Sequence, residues 1–223
     1  MPVYNAQNTL ERAINSLLIQ AEIDQIILVD DGSTDSSPMI CQSFEKKYAH
    51  VSLLRHEGGA NRGAPASRNL GLKAAKNSWI QFMDADDELL PGKIADQLIC
   101  VRGEEALVVG KFFFNEEGKT TAIHPFKDPW SGLISTRLGI NVSILWSKNW
   151  IEKVGGWDET LQNMQEYFRN EGSTYTKWYG EGSTYSHWRQ FGANKSDASS
   201  ECSNIRVECL ASKHKSICAA DRF

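Results

Sequence analysis

The chain has 223 residues, of which 41% are hydrophobic, and a formal net charge of −4 at pH 7, which suits a globular protein of one substantial domain with or without an appendage. The mildly acidic balance argues against a nucleic acid as partner. There is no run of 18 apolar residues, and residues 1–5 resemble no secretory signal, so neither a membrane-spanning helix nor a signal peptide is predicted.

Up to about residue 110, helix-like and strand-like segments alternate along the chain. Apolar residues that recur every three or four positions predict helices at 9–20, from 37, at 64–76 and from 91. Short apolar runs predict strands at 25–29, 51–54, 79–83 and 106–109. Strands separated by helices favour parallel pairing through right-handed crossovers, as in an α/β fold.

Beyond residue 110 the pattern is weaker. It indicates a hairpin turn at 115–119, a strand at 142–146 and a helix at 148–154 that ends at Gly155 and Gly156. After residue 167 the sequence Glu-Gly-Ser-Thr-Tyr occurs twice, at 171–175 and 181–185, in a polar stretch without apolar periodicity. Poor order is therefore predicted for this stretch.

The cysteines indicate a reducing compartment. Their number, five, is odd, and none of them forms a Cys-x-x-Cys pair, which argues against a disulfide framework. The three near the C-terminus, Cys202, Cys209 and Cys218, lie close in sequence to His214. These are zinc-ligand types, but their spacing matches no common zinc module.

Acidic residues follow two of the predicted strands. In parallel sheets, ligands bind at the carboxyl ends of the strands. Side chains alternate along an extended tip, so Asp84 and Asp86 are predicted to face the same side. Such carboxylates either hold a divalent cation such as Mg2+ or Mn2+ or accept hydrogen bonds from a ribose or a base. The alternative is a solvated acidic turn. The full acidic set is Asp30, Asp31, Asp84, Asp86 and Asp87.

Five motifs, taken in their order along the chain, carry a resemblance to a known family. They are Pro-Val-Tyr-Asn-Ala at 2–6, Val-Asp-Asp-Gly-Ser-Thr-Asp at 29–35, Asn-x-Gly at 61–63, Ser-Arg-Asn-x-Gly at 67–71 and Met-Asp-Ala-Asp-Asp at 83–87. Together they resemble the family-two glycosyltransferases over roughly residues 2–167. The resemblance implies an α/β fold of GT-A type, a Rossmann-like and mostly parallel sheet flanked by helices.

The resemblance also implies three regions. Residues 1–110 would form the nucleotide-sugar-binding α/β half and residues 111–167 the acceptor-side half, with an atypical tail at 168–223 that is predicted to be disordered. Two features depart from the family. Its members carry an apolar strand immediately before the Pro-Val-Tyr-Asn motif, so a hydrophobic gap with unpaired backbone groups is predicted beside Met1. The tail also lacks the amphipathic helix that members carry, and a truncated or altered reading frame would explain both ends.

Residue roles follow from the same resemblance. Pro2, Val3 and Tyr4 match the loop that packs against the nucleotide base. Asp31 matches the aspartate that accepts the base N3–H, and Asp84 a residue near the ribose.

Three further roles carry over in the same way. Arg68 matches a basic residue near the nucleotide, with a surface helix cation as the alternative. Asp86 matches the ligand of the metal cofactor, Mn2+ or Mg2+. Glu166 matches the general base that activates the acceptor, with an exposed glutamate on an irregular segment as the alternative.

The implied activity is the transfer of a sugar, with inversion, from a nucleotide-sugar donor such as a UDP-sugar to a hydroxyl of a glycan or lipid-linked acceptor. Many members act on such acceptors at the inner membrane face, which implies a cytoplasmic protein with peripheral membrane association. One alternative is an inactive nucleotide-binding remnant of such an enzyme. A nucleotidyltransferase is less favoured, because the chain has no phosphate-binding loop with a Walker lysine.

Overall fold

The computed structural model describes residues 1–103, 105–116, 119–124 and 140–160, together with the backbone of strands at 188–191, 203–210 and 217–219. The N-terminal part is built on a three-stranded parallel sheet. Its strands are β1 (Pro2–Val3), β2 (Ile26–Asp30) and β3 (Val51–Arg55), in that spatial order. Val3 pairs with Asp30, and Asp30 in turn with Arg55, so the carboxyl ends of the three strands meet at one edge.

Four helices accompany the strands of the N-terminal part. They are α1 (Leu10–Leu18), α2 (Ser37–Lys47), α3 (Ala64–Ala74) and α4 (Lys93–Ile99). Helix α1 buries Leu10, Ile14 and Leu17, the apolar stripe that predicted it. Helices α2 and α3 each carry a proline in the first turn, where its missing N–H leaves no intrahelical bond unmade.

A second sheet is formed mainly by antiparallel pairing. Strand β8 (Ile144–Ser147) lies between β4 (Trp79–Gln81) and β5 (Leu107–Val109) and runs antiparallel to both. The expectation of parallel pairing therefore holds for β1, β2 and β3, whereas β4 and β5 are joined through β8, which enters from the later part of the chain.

Further strands extend this architecture. Strand β10 (Ser203–Leu210) pairs antiparallel with β5, with β9 (Trp188–Phe191) and with β11 (Ile217–Ala219). Strands β6 (Phe112–Glu116) and β7 (Lys119–Ile123) form the predicted hairpin. Helix α5 (Lys148–Lys153) follows β8 directly. The division into two halves and a tail stays a prediction.

Two apolar clusters form the core. The larger gathers Val3, helix α1 and the inner faces of β2 and α4. The smaller is aromatic, with the Trp157 ring edge-on to those of Phe82 and Trp146 at centroid distances of 5.3 and 6.1 Å. This second cluster binds the 155–160 segment to β4 and β8, so the two parts of the chain share one interior.

A cavity of about 420 Å³ opens beside Met1, where the sequence predicted a gap. It is lined by β2 at Ile26 and Ile27, by β4 and by α3. The amino group of Met1 donates a hydrogen bond of 2.8 Å to the carbonyl oxygen of Ile27. Burial lowers the pKa of this amine to about 5.

Element boundaries differ from the predicted ones by a few residues. Helix α1 begins at Leu10, one residue later than predicted, with Thr9 as its N-cap. Strand β4 ends at Gln81, two residues earlier than predicted, so an irregular step separates it from Asp84. Across the described parts of the chain, no helix combines the length and apolarity needed to cross a membrane.

Candidate functional site

The loop after β1 and the loop after β2 are tied together by their own polar groups. Asn5 has a positive φ of 48°, and its side-chain oxygen accepts the backbone N–H of Thr34 at 2.8 Å. The backbone N–H of Asn5 donates to the Ser33 hydroxyl, and that of Gln7 to the Asp35 carboxylate at 3.0 Å. These reciprocal bonds hold the Pro-Val-Tyr-Asn turn beside the Asp-Asp-Gly-Ser turn.

The three residues of the predicted base-binding loop lie in different environments. Pro2 and Val3 are buried in β1, and the backbone oxygen of Val3 accepts the N–H of Asp31 at 2.8 Å. Tyr4 follows the strand, and 54% of its surface is exposed. Of the three side chains, only that of Tyr4 is therefore open to a ligand in solvent.

Asp31 lies buried beneath the 59–63 loop. One carboxylate oxygen accepts the backbone N–H of Arg62 at 2.8 Å and the other that of Gly63 at 2.9 Å. Gly32 permits this approach: it has φ +76°, and a Cβ there would lie 2.8 Å from the carbonyl oxygen of Gly59. Asp31 thus fixes the loop that leads into α3, and each carboxylate oxygen keeps a further lone pair.

A histidine that the sequence analysis missed lies against Asp31. His56 Nε2 is 3.4 Å from Asp31 Oδ1 and 2.9 Å from the hydroxyl of Ser67 on α3. Its side chain is almost fully buried. His56 comes directly after β3, so a polar residue at the end of a third parallel strand was the signal that could have revealed it.

Arg68 connects α3 with the acidic segment after β4. Its guanidinium donates to Asp84 Oδ1 at 2.7 Å and lies 4.9 Å from the centre of the Trp157 ring. The Arg68 side chain is 4% exposed and that of Asp84 39%. Arg68 is therefore not a surface helix cation. It is a buried charge paired with a carboxylate that still faces solvent.

The acidic segment after β4 forms a tight turn. The backbone N–H of Asp87 donates to the carbonyl oxygen of Asp84 at 3.2 Å, and Ala85 is buried between Asp84 and the exposed Asp86. Burial, followed by the negative charges of Asp84 and Asp86, raises the pKa of Asp87 to about 6. The turn thus carries three carboxyl groups, and Arg68 is paired with one of them, that of Asp84.

This donor set fits a hard divalent cation only as a partial site. Among the described residues no three acidic, histidine or cysteine side chains converge as ligands. Mg2+ and similar ions are commonly held by one or two carboxylates, with water and substrate phosphates filling the other positions. Asp86 and Asp84, two residues apart in the acidic turn, offer carboxylates of that kind.

Asp30, also one of the acidic residues after the strands, stabilises the fold. Its carboxylate accepts the backbone N–H of Ser33 at 3.0 Å and the Nε–H of Arg55, also at 3.0 Å. Burial, with the added charge of Asp30, raises the pKa of the Cys41 thiol to about 12. Asp30 is thus paired within the fold and shapes the turn after β2.

The 155–160 segment is anchored on α3 by Asn69. Its side-chain oxygen accepts the N–H of Trp157 at 2.8 Å, and its amide donates to the Trp157 carbonyl and to Glu159, both also at 2.8 Å. Gly156 leaves room for this bond, since a Cβ there would lie 2.7 Å from the Asn69 oxygen. Glu166, the predicted general base, lies outside the described residues.

A continuous series of contacts links the predicted site residues. Asp31 contacts His56, and His56 contacts Ser67. The next residue of α3, Arg68, is paired with Asp84. The structure thus brings together the ends of β2 and β3, the first turns of α3 and the acidic turn after β4.

Comparison with known proteins identifies the family. The sequence model of glycosyl transferase family 2 matches residues 1–209. The uncharacterized glycosyltransferase YibD of Escherichia coli K12 is 31% identical over 156 residues, which cover 68% of this chain and 41% of YibD. The minor teichoic acid biosynthesis protein GgaA of Bacillus subtilis 168 is 40% identical over 94 residues, covering 39% of this chain and 20% of GgaA. The chain spans less than half the length of either relative.

Solved structures agree on the fold. S. aureus TarS 1-349 in complex with UDP superposes with a TM-score of 0.60 at 22% identity, covering 74% of this chain and 51% of that one. The mannosyltransferase PcManGT from Pyrobaculum calidifontis, in complex with GDP-Man and Mn2+, gives 0.54 at 16% identity, covering 72% and 46%. The GT-A fold inferred from the five motifs is confirmed, and with the match over residues 1–209 the chain belongs to glycosyl transferase family 2.

Proposed function

We propose that this protein transfers a sugar from a nucleotide-diphosphate sugar, in the first instance a UDP-sugar, to a hydroxyl of a glycan or lipid-linked acceptor. The observation that carries the proposal is the unbroken series of contacts from Asp31 through His56 and α3 to Asp84. It connects Asp31, a buried carboxylate suited to bind a nucleobase, with an acidic turn suited to bind a cation. The family and the UDP complex of TarS support the donor class.

The nucleoside would bind at the edge formed by the loops after β1 and β2. Asp31 accepts the base N3–H through a lone pair that its two backbone donors leave open. The exposed ring of Tyr4 offers a face on which the base stacks. Pro2 and Val3 act by holding that loop in β1.

The diphosphate would lie over the acidic turn after β4. Asp86 would hold a Mn2+ or Mg2+ ion, with Asp84 near the ribose and Arg68 beside it. A bound cation supplies charge neutralisation for the diphosphate, which makes that group easier to displace. Arg68 holds Asp84 in place, because its guanidinium donates a hydrogen bond of 2.7 Å to Asp84 Oδ1.

The acceptor would approach from the 155–160 segment that Asn69 anchors. We assign the general base to Glu166, which would remove a proton from the acceptor hydroxyl as that oxygen attacks the anomeric carbon. A single displacement of this kind inverts the anomeric configuration. Acceptors carried on lipid would place the protein in the cytoplasm, at the inner face of the membrane.

Binding of nucleotides is tested by thermal shift with UDP, GDP, CDP and ADP, each with and without Mn2+. The proposal expects the largest rise in unfolding temperature with UDP plus Mn2+. It also expects the cation-dependent part of that rise to vanish in Asp86→Ala. Glu22→Ala, which removes an exposed acid of the loop between α1 and β2, is the matched control and should behave like the wild type. Equal shifts for all four nucleotides would contradict the assignment of Asp31 to a uracil base.

Turnover is tested by release of UDP from a panel of UDP-sugars with Mn2+. Release that depends on both Asp86 and Glu166 supports the enzyme. A nucleotide-binding remnant is the second candidate, favoured by the cavity of about 420 Å³ that leaves β2 and β4 apart beneath Arg68. Tight UDP binding without release of UDP from any donor would identify the remnant.

A further inference from the structure

Three polar residues on α1 and just beyond its C-terminal end contact residues 86–94, in and after the acidic turn. They are Arg12, Ser16 and Gln20. Arg12 and Ser16 are four positions apart and lie on one face of α1, and Gln20 follows the C-cap residue Ile19. The surrounding face is apolar and belongs to the main core, so polar residues there need specific partners.

Each residue of this polar stripe has a defined bond to residues more than 70 positions later. The Arg12 guanidinium donates to the carbonyl oxygen of Asp86 at 3.2 Å, and it also pairs with Glu88. The Ser16 hydroxyl accepts the backbone N–H of Leu89 at 3.0 Å. The last member, Gln20, donates to the Leu90 carbonyl at 2.9 Å.

Two of the three residues are buried, with 7% of Ser16 and 3% of Gln20 exposed. Gln20 also accepts the backbone N–H of Ile94 at the start of α4, at 3.4 Å. A buried amide bonded at both ends fixes the backbone it touches, because each bond lost would leave an unpaired polar group. The segment from 86 to 94 is therefore held along one side of α1.

We propose that the polar stripe of Arg12, Ser16 and Gln20 positions the acidic turn for its cation. This inference rests on the proposed function, since it assumes that Asp86 binds the ion. Arg68 anchors the turn at Asp84, and Arg12 donates to the backbone carbonyl oxygen of Asp86 itself. The polar stripe holds the backbone from Asp86 onward, and Arg68 holds Asp84 before it. The Asp86 carboxylate therefore lies between two fixed points.

The stripe acts through Asp86 and touches no substrate, so these are positioning residues. Groups that orient a metal ligand typically change metal affinity by about 10- to 100-fold when they are replaced. We expect the lower end of that range, about tenfold, because the stripe bonds to the backbone of the turn and not to the Asp86 carboxylate.

The test is titration of the full chain with Mn2+ in the presence of UDP, with the free ion measured by electron paramagnetic resonance. Arg12→Ala and Gln20→Met remove the bonds at the two ends of the stripe, and Arg12→Lys keeps the charge. Asn15→Ala, an exposed change on another face of α1, is the matched control. Unfolding temperatures and UDP affinity without metal are measured for every variant.

The inference expects the Mn2+ dissociation constant to rise about tenfold in Arg12→Ala and Gln20→Met, with partial recovery in Arg12→Lys and no change in Asn15→Ala. UDP affinity without metal should not change. A lower unfolding temperature with an unchanged Mn2+ dissociation constant would overturn the inference, because the stripe would then serve only the fold. If the wild type binds no Mn2+, or if Asp86→Ala binds it equally well, the proposed metal role itself fails.

Discussion

Replacing Asn69 by alanine should loosen the 155–160 segment from α3. The change removes three hydrogen bonds of 2.8 Å, two of which satisfy the backbone N–H and carbonyl of Trp157. Trp157 is 2% exposed, so water does not readily replace them. Each orphaned buried group costs about 1–3 kcal/mol, so the expected loss in unfolding free energy is about 3 kcal/mol.

The measurement is urea denaturation followed by tryptophan fluorescence, with Asn77→Ala as control. Asn77 makes one exposed contact of 3.4 Å, to Asp24, so its loss should cost less than about 0.5 kcal/mol. The Asn69 variant should also lower the rate of sugar transfer, because the segment it anchors leads towards Glu166. A loss for Asn69→Ala no larger than that of the control would refute the reasoning.

A second substitution sharpens the test. Gly156 has φ +75°, which costs an alanine about 1–2 kcal/mol, and an added Cβ would also lie 2.7 Å from the Asn69 oxygen. In the Asn69→Ala background only the backbone cost remains. The double variant should therefore be more stable than the sum of the two single losses predicts. Additivity within about 0.5 kcal/mol would show that the contact does not couple the two residues.

Three other predictions concern charge, loop closure and the cavity. The pKa of Asp87 is raised to about 6 in the fold, so the protonated carboxyl favours folding at low pH, and that contribution is lost as the pH rises from about 4 through 6. Asp87→Asn should therefore have an unfolding free energy about 1–2 kcal/mol higher than the wild type at pH 7, after allowance for solvent screening. This difference should be absent at pH 3 and should shrink when Mn2+ is added. Gly32→Ala should lower the unfolding free energy in urea by about 3 kcal/mol, because its Cβ would meet backbone atoms of residues 59–61 at 2.8–2.9 Å. Gly58→Ala is the control: Gly58 has a similar φ but no atom within 4 Å of an added Cβ, so the loss should be only about 1 kcal/mol. An extension of three or four valine or isoleucine residues before Met1 should fill the cavity and raise the unfolding temperature. A Gly-Ser extension of equal length also replaces the buried amine by an amide but leaves the cavity unfilled, so its rise in unfolding temperature should be smaller.

The sequence predicted the elements of the N-terminal part because their signals are local. The apolar run before Asp30 and the polar turn after it mark the end of β2 without reference to the rest of the chain. The place of β8 between β4 and β5 was not predicted, since strand order depends on contacts between segments far apart in sequence. Parallel pairing was therefore assumed for strands that the structure joins through an antiparallel neighbour.

The same holds for the candidate site: residues within local motifs were predicted, whereas contacts between distant segments were not. Asp31, Arg68, Asp84 and Asp86 were named from their motifs, but their partners were not. The position of His56 directly after β3 marks it as a candidate, but its contact with Asp31 joins segments 25 residues apart and depends on the pairing of β2 with β3. The polar stripe of Arg12, Ser16 and Gln20 was missed for a related reason. Polar residues on or near a helix are usually solvated, and only the structure reveals that Ser16 and Gln20 are buried against the segment that follows the acidic turn.

Titration calorimetry of UDP, with and without Mn2+, on the wild type, Asp31→Asn and Asp86→Asn tests the central claim most directly. The account predicts that Mn2+ strengthens UDP binding to the wild type, that Asp86→Asn removes this gain but keeps the metal-independent binding, and that Asp31→Asn weakens both. If UDP binds the two variants as it binds the wild type, the carboxylates gathered at the ends of β2 and β4 do not form one nucleotide and cation site.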